Sequence, residues 1–151
     1  MDPKNLPDIS LFRCATPVQI RFNDVDVLGH VNNTVYFSFY DTGKAYYFQA
    51  VQGKRVDWRH VDTVIANVNC AYLAPIYFGE DIEVLTGCTA IHEKSFRLLQ
   101  VIRERTTGEL KSMCETVMVS FDPATAQSRP LPDDWRRMLS EFEGRDLSAG
   151  Q

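Results

Sequence analysis

The sequence predicts an α+β domain in which a five-stranded antiparallel sheet packs against one long central helix, followed by a short C-terminal helix. Apolar and polar residues alternate, as in strands, once before the helix and four times between residues 64 and 121. Over 33–52 the apolar residues instead recur with helical period. We expect a flexible lead-in at 1–12, one domain at 13–143 and a flexible tail at 144–151.

The first two elements are a strand and the long helix. Alternation predicts the strand from about Ala15 to Asn23. The helix is predicted from about Asn33 to Gln52, with Asn32 or Asn33 as its N-cap. Gly43 lies on its apolar face, where glycine costs about 1 kcal/mol relative to alanine, so we expect the helix to approach the sheet closely there. That face consists of Tyr36, Phe39, Tyr40, Gly43, Tyr47, Ala50 and Val51.

Four further strands, joined by turns at 78–81, 92–94 and 106–109, predict an antiparallel meander. Pro130 and Pro132 then introduce a short helix from about Asp133 to Phe142. A sheet with an unpaired edge predicts a homodimer or homotetramer, because association covers the edge.

The composition excludes several classes of function. The net charge of −4 argues against general nucleic-acid binding. No apolar run has membrane-spanning length, and the N-terminus does not have the pattern of a signal peptide. The four widely spaced cysteines predict reduced thiols in a cytoplasmic protein. We expect neither a cofactor nor a metal.

Calcium is a candidate ligand because Asp24, Asp26 and Gly29 match the first, third and sixth positions of an EF-hand loop. The match fails at Leu28 and at Val35, where the loop needs oxygen ligands. Zinc is not expected either, because no histidine or cysteine pair has ligand spacing.

The segment from Arg21 to Gly43 is the strongest functional signal. Two carboxylates, a glycine, a histidine and two asparagines lie directly before the long helix. A carboxylate can act as a general base or a nucleophile, and a helix start offers unpaired N–H groups and a positive dipole end. The arrangement suits chemistry on a carbonyl, although such residues also serve as caps and turns.

These residues resemble the hotdog-fold acyl-CoA thioesterases of the 4-hydroxybenzoyl-CoA thioesterase type. The resemblance is carried by RFNDVDVLGHVNNTVYFSFYDTG, NVNCAYLAPIYFGEDIEV, MVSFD and RPLP, and it covers about Thr16 to Pro132. It implies a hotdog fold, in which the sheet wraps the long helix. It further implies edge-to-edge dimers with active sites at the dimer interface, and an acyl-CoA substrate.

The resemblance also implies roles for single residues. Asp26 is the expected catalytic carboxylate, as nucleophile or as base on water. The backbone N–H near Asn33 is expected to polarise the thioester carbonyl. His30 either orients water or the thioester, or only hydrogen-bonds to backbone in the turn, and Asn32 is a weaker substrate-binding candidate. We expect a structural role for Asp24, paired with Arg21 or a loop N–H.

Substrate-binding side chains are expected in two groups. Aromatic side chains of the helix are possible walls for the acyl group: Tyr36, Phe37, Phe39, Tyr40 and Tyr47. Basic side chains are candidates to hold the coenzyme A phosphates: Lys54, Arg55, Arg59, Lys94, Arg97 and Arg129.

Other functions stay open. The chain could act on acyl-carrier protein, which would need a basic docking surface, or it could bind acyl-CoA without catalysis. An intact Asp26 favours the enzyme, since a binding module needs no positioned carboxylate. A hydratase is less favoured, because the helix carries no second Asp/His pair.

Overall fold

The structure, a computed structural model, describes residues 1–148. Its helices are α1 (Val35–Gln52) and α2 (Asp133–Glu143). Its strands are β1 (Cys14–Val18), β2 (Thr63–Tyr72), β3 (Ile82–Ile91), β4 (Ser95–Glu104), β5 (Leu110–Asp122) and β6 (Gln127–Ser128).

Five of the strands form one antiparallel sheet in the order β1-β3-β4-β5-β2, and the two-residue β6 pairs antiparallel with the end of β5. Helix α1 packs against β1 and β3, and α2 packs against α1 and β3. The predicted α+β architecture, with a sheet curled around one long helix and a short C-terminal helix, is confirmed.

Two predicted boundaries differ. Strand β1 ends at Val18 rather than Asn23, because the Asp24 carboxylate accepts a hydrogen bond from the Arg21 N–H and closes a 3₁₀ turn. Helix α1 begins at Val35 rather than Asn33, because Asn32 Oδ1 accepts from the Thr34 N–H in an Asx turn.

The apolar face of α1 is buried as predicted, except for Ala50, which is exposed. At Gly43 a Cβ would lie 2.6 Å from Val84 Cγ1 and 3.0 Å from Gln100 Nε2. The expected close approach of helix and sheet is therefore confirmed.

The C-terminal helix is tied to the core by a buried carboxylate. Glu143 Oε1 accepts hydrogen bonds from the Tyr47 hydroxyl at 2.7 Å and the Cys88 N–H at 3.0 Å. Leu147 is also buried, and its carbonyl accepts from the Ile91 N–H, so ordered packing extends past residue 143. Residues 149–151 of the expected tail lie outside the described residues.

Strand β2 is an edge of the sheet and is largely exposed. Four large apolar side chains on it are between 38% and 47% exposed, namely Val64, Ile65, Val68 and Tyr72. Neither helix within residues 1–148 has the length and apolar character needed to cross a membrane.

Candidate active site

The two aspartates before α1 have different environments. Asp24 is 4% exposed, and its Oδ2 accepts from the Arg21 N–H at 2.8 Å, while its Oδ1 lies 3.7 Å from Arg21 Nη2. Its own carbonyl accepts from the Asn32 N–H at 2.8 Å. Asp24 thus makes both contacts expected of a structural residue.

Asp26 is exposed at the tip of a tight turn. Its Oδ1 accepts from the Leu28 N–H at 2.9 Å and the His30 N–H at 3.3 Å. Gly29 completes the turn at φ +81°, a conformation that favours glycine. No donor in residues 1–148 hydrogen-bonds to Asp26 Oδ2. One carboxylate oxygen therefore holds the turn, and the other is available to a substrate or water.

At the start of α1 the backbone N–H of Asn33 is open. The N–H groups of Val31, Asn32, Thr34 and Val35 all have acceptors. The Asn33 N–H has none among the described residues. The Tyr72 hydroxyl donates to the Asn33 carbonyl at 3.0 Å, which anchors the helix start to β2. This open N–H is the one that the resemblance predicts for the thioester carbonyl.

Asn32 and His30 support this arrangement in different ways. Asn32 Oδ1 accepts from both the N–H and the hydroxyl of Thr34, so its side chain holds the helix start. The His30 ring is half-buried and makes an edge contact with Tyr77, at 5.0 Å between ring centroids. Neither ring nitrogen of His30 has a hydrogen-bond partner within residues 1–148, so the ring does not hydrogen-bond to turn backbone here.

The loop before β3 forms the other wall of the turn. The Val31 N–H donates to the Ile76 carbonyl at 2.8 Å, and His30 forms a β-bridge with Tyr77. Sequence reasoning treated this loop only as a turn and missed its role. An aromatic pair before the Gly79 turn was the available signal.

A buried lysine clamps that loop. Lys111 is 2% exposed, and its Nζ donates to the Pro75 carbonyl at 3.0 Å and pairs with Glu80 Oε2 at 2.9 Å and with Glu109. Glu80 Oε1 in turn accepts from the Tyr77 N–H. Burial acts to lower the pKa of Lys111, but the two carboxylates outweigh it and raise that pKa.

Tyr36 and Tyr40 are buried in the core, whereas Phe37 is 41% exposed. Tyr40 has no exposed surface, and its hydroxyl donates to Ser112 Oγ at 2.6 Å. Tyr36 is also buried, with its ring edge against Tyr72. Burial raises the pKa of both tyrosines. Tyr40 therefore packs in the core of this chain, and its substrate-binding role stays a prediction.

The predicted phosphate-binding side chains do not meet the Asp26 turn within one chain. Arg55 and Arg59 precede Thr63, whereas Tyr72, at the other end of β2, contacts the helix start. These ends are about 30 Å apart at the usual rise per strand residue. Lys94 lies at the same far end, since its carbonyl accepts from the Ser120 N–H beside the start of β2, whereas Arg97 is level with Asn67 in the middle of β2.

An apolar groove of about 750 Å³ lies between the second half of α1 and the start of β2. Its lining includes Phe48, Trp58, Met118 and Trp135. It also includes Lys44, which is 7% exposed and pairs with Asp41 at 3.3 Å. Sequence reasoning missed Lys44, because a lysine in a surface helix is normally solvated.

Comparison with known proteins identifies the family. The sequence model of the thioesterase-like superfamily matches residues 20–139. The chain belongs to this superfamily. The resemblance found in the sequence is thereby confirmed, and so is the hotdog fold that it implied.

Individual relatives are similar to this chain over most of its length. The chain is 26% identical over 141 residues to the acyl-CoA thioester hydrolase YbgC of Escherichia coli O157:H7, covering 89% of this chain and 97% of that protein. It is 24% identical over 122 residues to YsmA of Bacillus subtilis (strain 168), covering 81% and 82%. A thioesterase of Thermus thermophilus, solved with coenzyme A and Zn, is 29% identical with a TM-score of 0.82, covering 92% of this chain and 100% of that one.

Zinc in that Thermus structure raises the question of a metal site. Within residues 1–148 there is no group of three or more His, Cys, Asp or Glu side chains placed to hold a metal ion.

Proposed function

We propose that the chain hydrolyses the thioester bond of an acyl-CoA to a free acid and coenzyme A. The observation that carries this proposal is the difference in environment between the two aspartates. Asp24 is buried and hydrogen-bonded, whereas Asp26 presents an unpaired oxygen beside a helix start with an open N–H at Asn33. The names of YbgC and of the Thermus thioesterase solved with coenzyme A support the same activity.

The chemistry has two parts. The thioester oxygen would accept a hydrogen bond from the Asn33 N–H, which is aligned with the positive end of the α1 dipole. One donor to a developing oxyanion is typically worth about 3–4 kcal/mol. Asp26 would then either attack the acyl carbon and expel the coenzyme A thiolate, or take a proton from an attacking water. The His30 ring nitrogens are free to orient that water.

A single-turnover reaction in ¹⁸O-labelled water tests the first of these routes. If Asp26 attacks, an anhydride forms, and its hydrolysis at the aspartyl carbon carries label into the Asp26 carboxylate. Mass spectrometry of the peptide containing Asp26 would detect the label. If water attacks the thioester directly, or opens the anhydride at its acyl carbon, all of the label enters the free acid, so label in Asp26 is the outcome that identifies the anhydride.

We also propose that the chain works as a homodimer, or as a homotetramer built from such dimers, paired through the exposed edge of β2. Apolar side chains on that edge favour association. Antiparallel pairing about a two-fold axis would bring the start of β2 in one copy beside Tyr72 of the other. It would thereby bring the basic segment at 54–59 of one copy to the Asp26 turn of its neighbour.

This geometry would reconcile the distant basic residues with a coenzyme A site shared between chains. If Arg55, Arg59, Lys94 or Arg97 hold phosphates, KM should rise with ionic strength more than kcat falls. Changing a true contact to glutamine should flatten that salt dependence. A chain that is monomeric by light scattering and fully active would contradict the shared site. Unchanged salt dependence in all four variants would contradict it as well.

The test of the function itself is a thiol-release assay over acyl-CoAs of different chain length and aryl-CoAs. Release from at least one class is expected. Tight binding without release would instead favour a non-catalytic acyl-CoA-binding module. Faster release from acyl-carrier protein than from every acyl-CoA would favour that alternative substrate.

We propose a cytoplasmic location, on the basis of the four widely spaced cysteines.

A further inference from the structure

Two cysteines face each other across neighbouring strands. Cys70 on β2 is directly opposite Cys114 on β5 in the antiparallel register, and both thiols are free. Directly opposed residues point to the same face of a sheet, with Cα atoms about 4.5–5.5 Å apart. Disulfides join Cα atoms about 4.4–6.8 Å apart. The pair can therefore be bridged with only a small movement of the edge strand.

The two thiols differ in access and reactivity. Cys70 is half-buried on the edge strand, and Cys114 is buried one strand further in. The neighbouring Cys114 thiol, together with the contact to Ser112 Oγ at 3.5 Å, lowers the pKa of Cys70 despite its partial burial. The Cys70 thiol, together with burial, raises the pKa of Cys114. Cys70 is thus the better attacking thiol, and Cys114 is placed to resolve because it lies directly opposite and because the largest cause of its raised pKa, the free Cys70 thiol, is gone in the mixed disulfide.

The other two cysteines provide an internal comparison. Burial raises the pKa of Cys88 to about 12 and also raises the pKa of Cys14. In its strand register Cys14 faces Thr86, and Cys88 faces Leu98, so neither has a cysteine opposite. Reactivity of the pair should therefore exceed that of Cys14 and Cys88.

We propose that Cys70 and Cys114 form a reversible dithiol–disulfide site that reacts with low-molecular-weight disulfides such as oxidised glutathione. The Cys70 thiolate attacks one sulfur, giving a mixed disulfide and releasing one glutathione thiolate. Cys114 then gives up its proton to solvent and attacks the Cys70 sulfur, which releases the second glutathione. Two protein thiols are oxidised, and one glutathione disulfide is reduced to two thiols. This site does not depend on the proposed hydrolase activity.

The site is close to the candidate active site. Cys70 Sγ lies 3.5 Å from Ser112 Oγ, the same hydroxyl that accepts from Tyr40. Two residues further along β2, Tyr72 anchors the Asn33 carbonyl. Closing the disulfide would join β2 to β5 next to this anchor.

The experiment exposes the purified full-length chain to oxidised glutathione and follows intact mass and cysteine-containing peptides. The parent chain should lose two hydrogens and yield a linked Cys70–Cys114 peptide, which dithiothreitol reverses. Cys114→Ser should keep one glutathione on Cys70, because nothing resolves the mixed disulfide. Cys70→Ser should take up no glutathione at Cys114.

Two results would overturn the proposal. The parent chain could form no Cys70–Cys114 link, or glutathione could accumulate on Cys14 or Cys88 faster than on Cys70. Circular dichroism and melting temperature confirm that each variant is folded before the comparison. If Cys114→Ser does not fold, Cys114→Ala, which suits a buried site, replaces it in the same assay.

Discussion

Replacing Asp26 with asparagine tests whether its carboxylate is catalytic or only holds the turn. The carboxylate Oδ1 holds the Leu28 N–H at 2.9 Å and the His30 N–H at 3.3 Å, and asparagine retains an acceptor for both. Only the charge-assisted part of these bonds is lost, which should cost about 1 kcal/mol of unfolding free energy. The removed basicity and nucleophilicity should lower kcat at least about 10²-fold, equivalent to about 2.7 kcal/mol.

The assay measures thiol release, acyl-CoA binding and melting temperature on one preparation. Affinity should change little, since the lost interaction is made in the transition state. Asp24→Asn is the matched control. Because Asp24 is buried and bonded to Arg21, its change should lower stability by about 1–2 kcal/mol and leave kcat of the folded fraction near the parent value. A folded Asp26→Asn chain with kcat within a few-fold of the parent would refute the assignment.

Three further changes test the supporting structure. Tyr72→Phe removes the donor to the Asn33 carbonyl and should lower kcat about fivefold, equivalent to about 1 kcal/mol, in steady-state assays with little change in melting temperature. Gly43→Ala forces a Cβ to 2.6 Å from Val84 Cγ1 and should lower stability by about 1–3 kcal/mol in calorimetry, despite the better helix propensity of alanine. Lys111→Met removes the buried cation and its hydrogen bond to the Pro75 carbonyl and should cost about 1–2 kcal/mol in denaturant unfolding, because both carboxylate partners stay solvated in part.

Two of these changes have a control. Val84→Ala should recover part of the stability lost in Gly43→Ala, because it removes the clashing methyl. Glu109→Gln should cost well under 1 kcal/mol, since Glu109 is largely exposed. Equal losses in Glu109→Gln and Lys111→Met would contradict the importance of the buried lysine. A Tyr72→Phe chain with parent kcat would show that the hydroxyl does not position the helix start.

Local pattern was sufficient to predict most of the fold. Alternation and helical period each report which side of an element is buried, and that information is present in consecutive residues. The same reasoning extended β1 to Asn23, because Phe22 continues the alternation although its side chain is exposed. The strand ends early because the Arg21 N–H donates to the Asp24 carboxylate. Periodicity does not reveal such side chain-to-backbone hydrogen bonds.

The candidate site was less predictable, because several of its contacts join distant parts of the chain. The segment at 24–33 is contiguous, so its role could be proposed from sequence. Lys111 and Tyr72 are 78 and 39 residues from Asn33, and their contacts exist only once the strands are registered. The burial of Lys44 likewise depends on distant residues, because the groove that it lines is also formed by residues of β2, β5 and α2.

The open N–H of Asn33 should report on ligand binding at the start of α1. Because the amides on either side are hydrogen-bonded, the Asn33 amide should exchange with solvent faster than those of Asn32 and Thr34. Any ligand whose oxygen occupies this position would slow exchange at residue 33 selectively. A single amide resonance could therefore follow occupancy of the site even with analogues that are never hydrolysed.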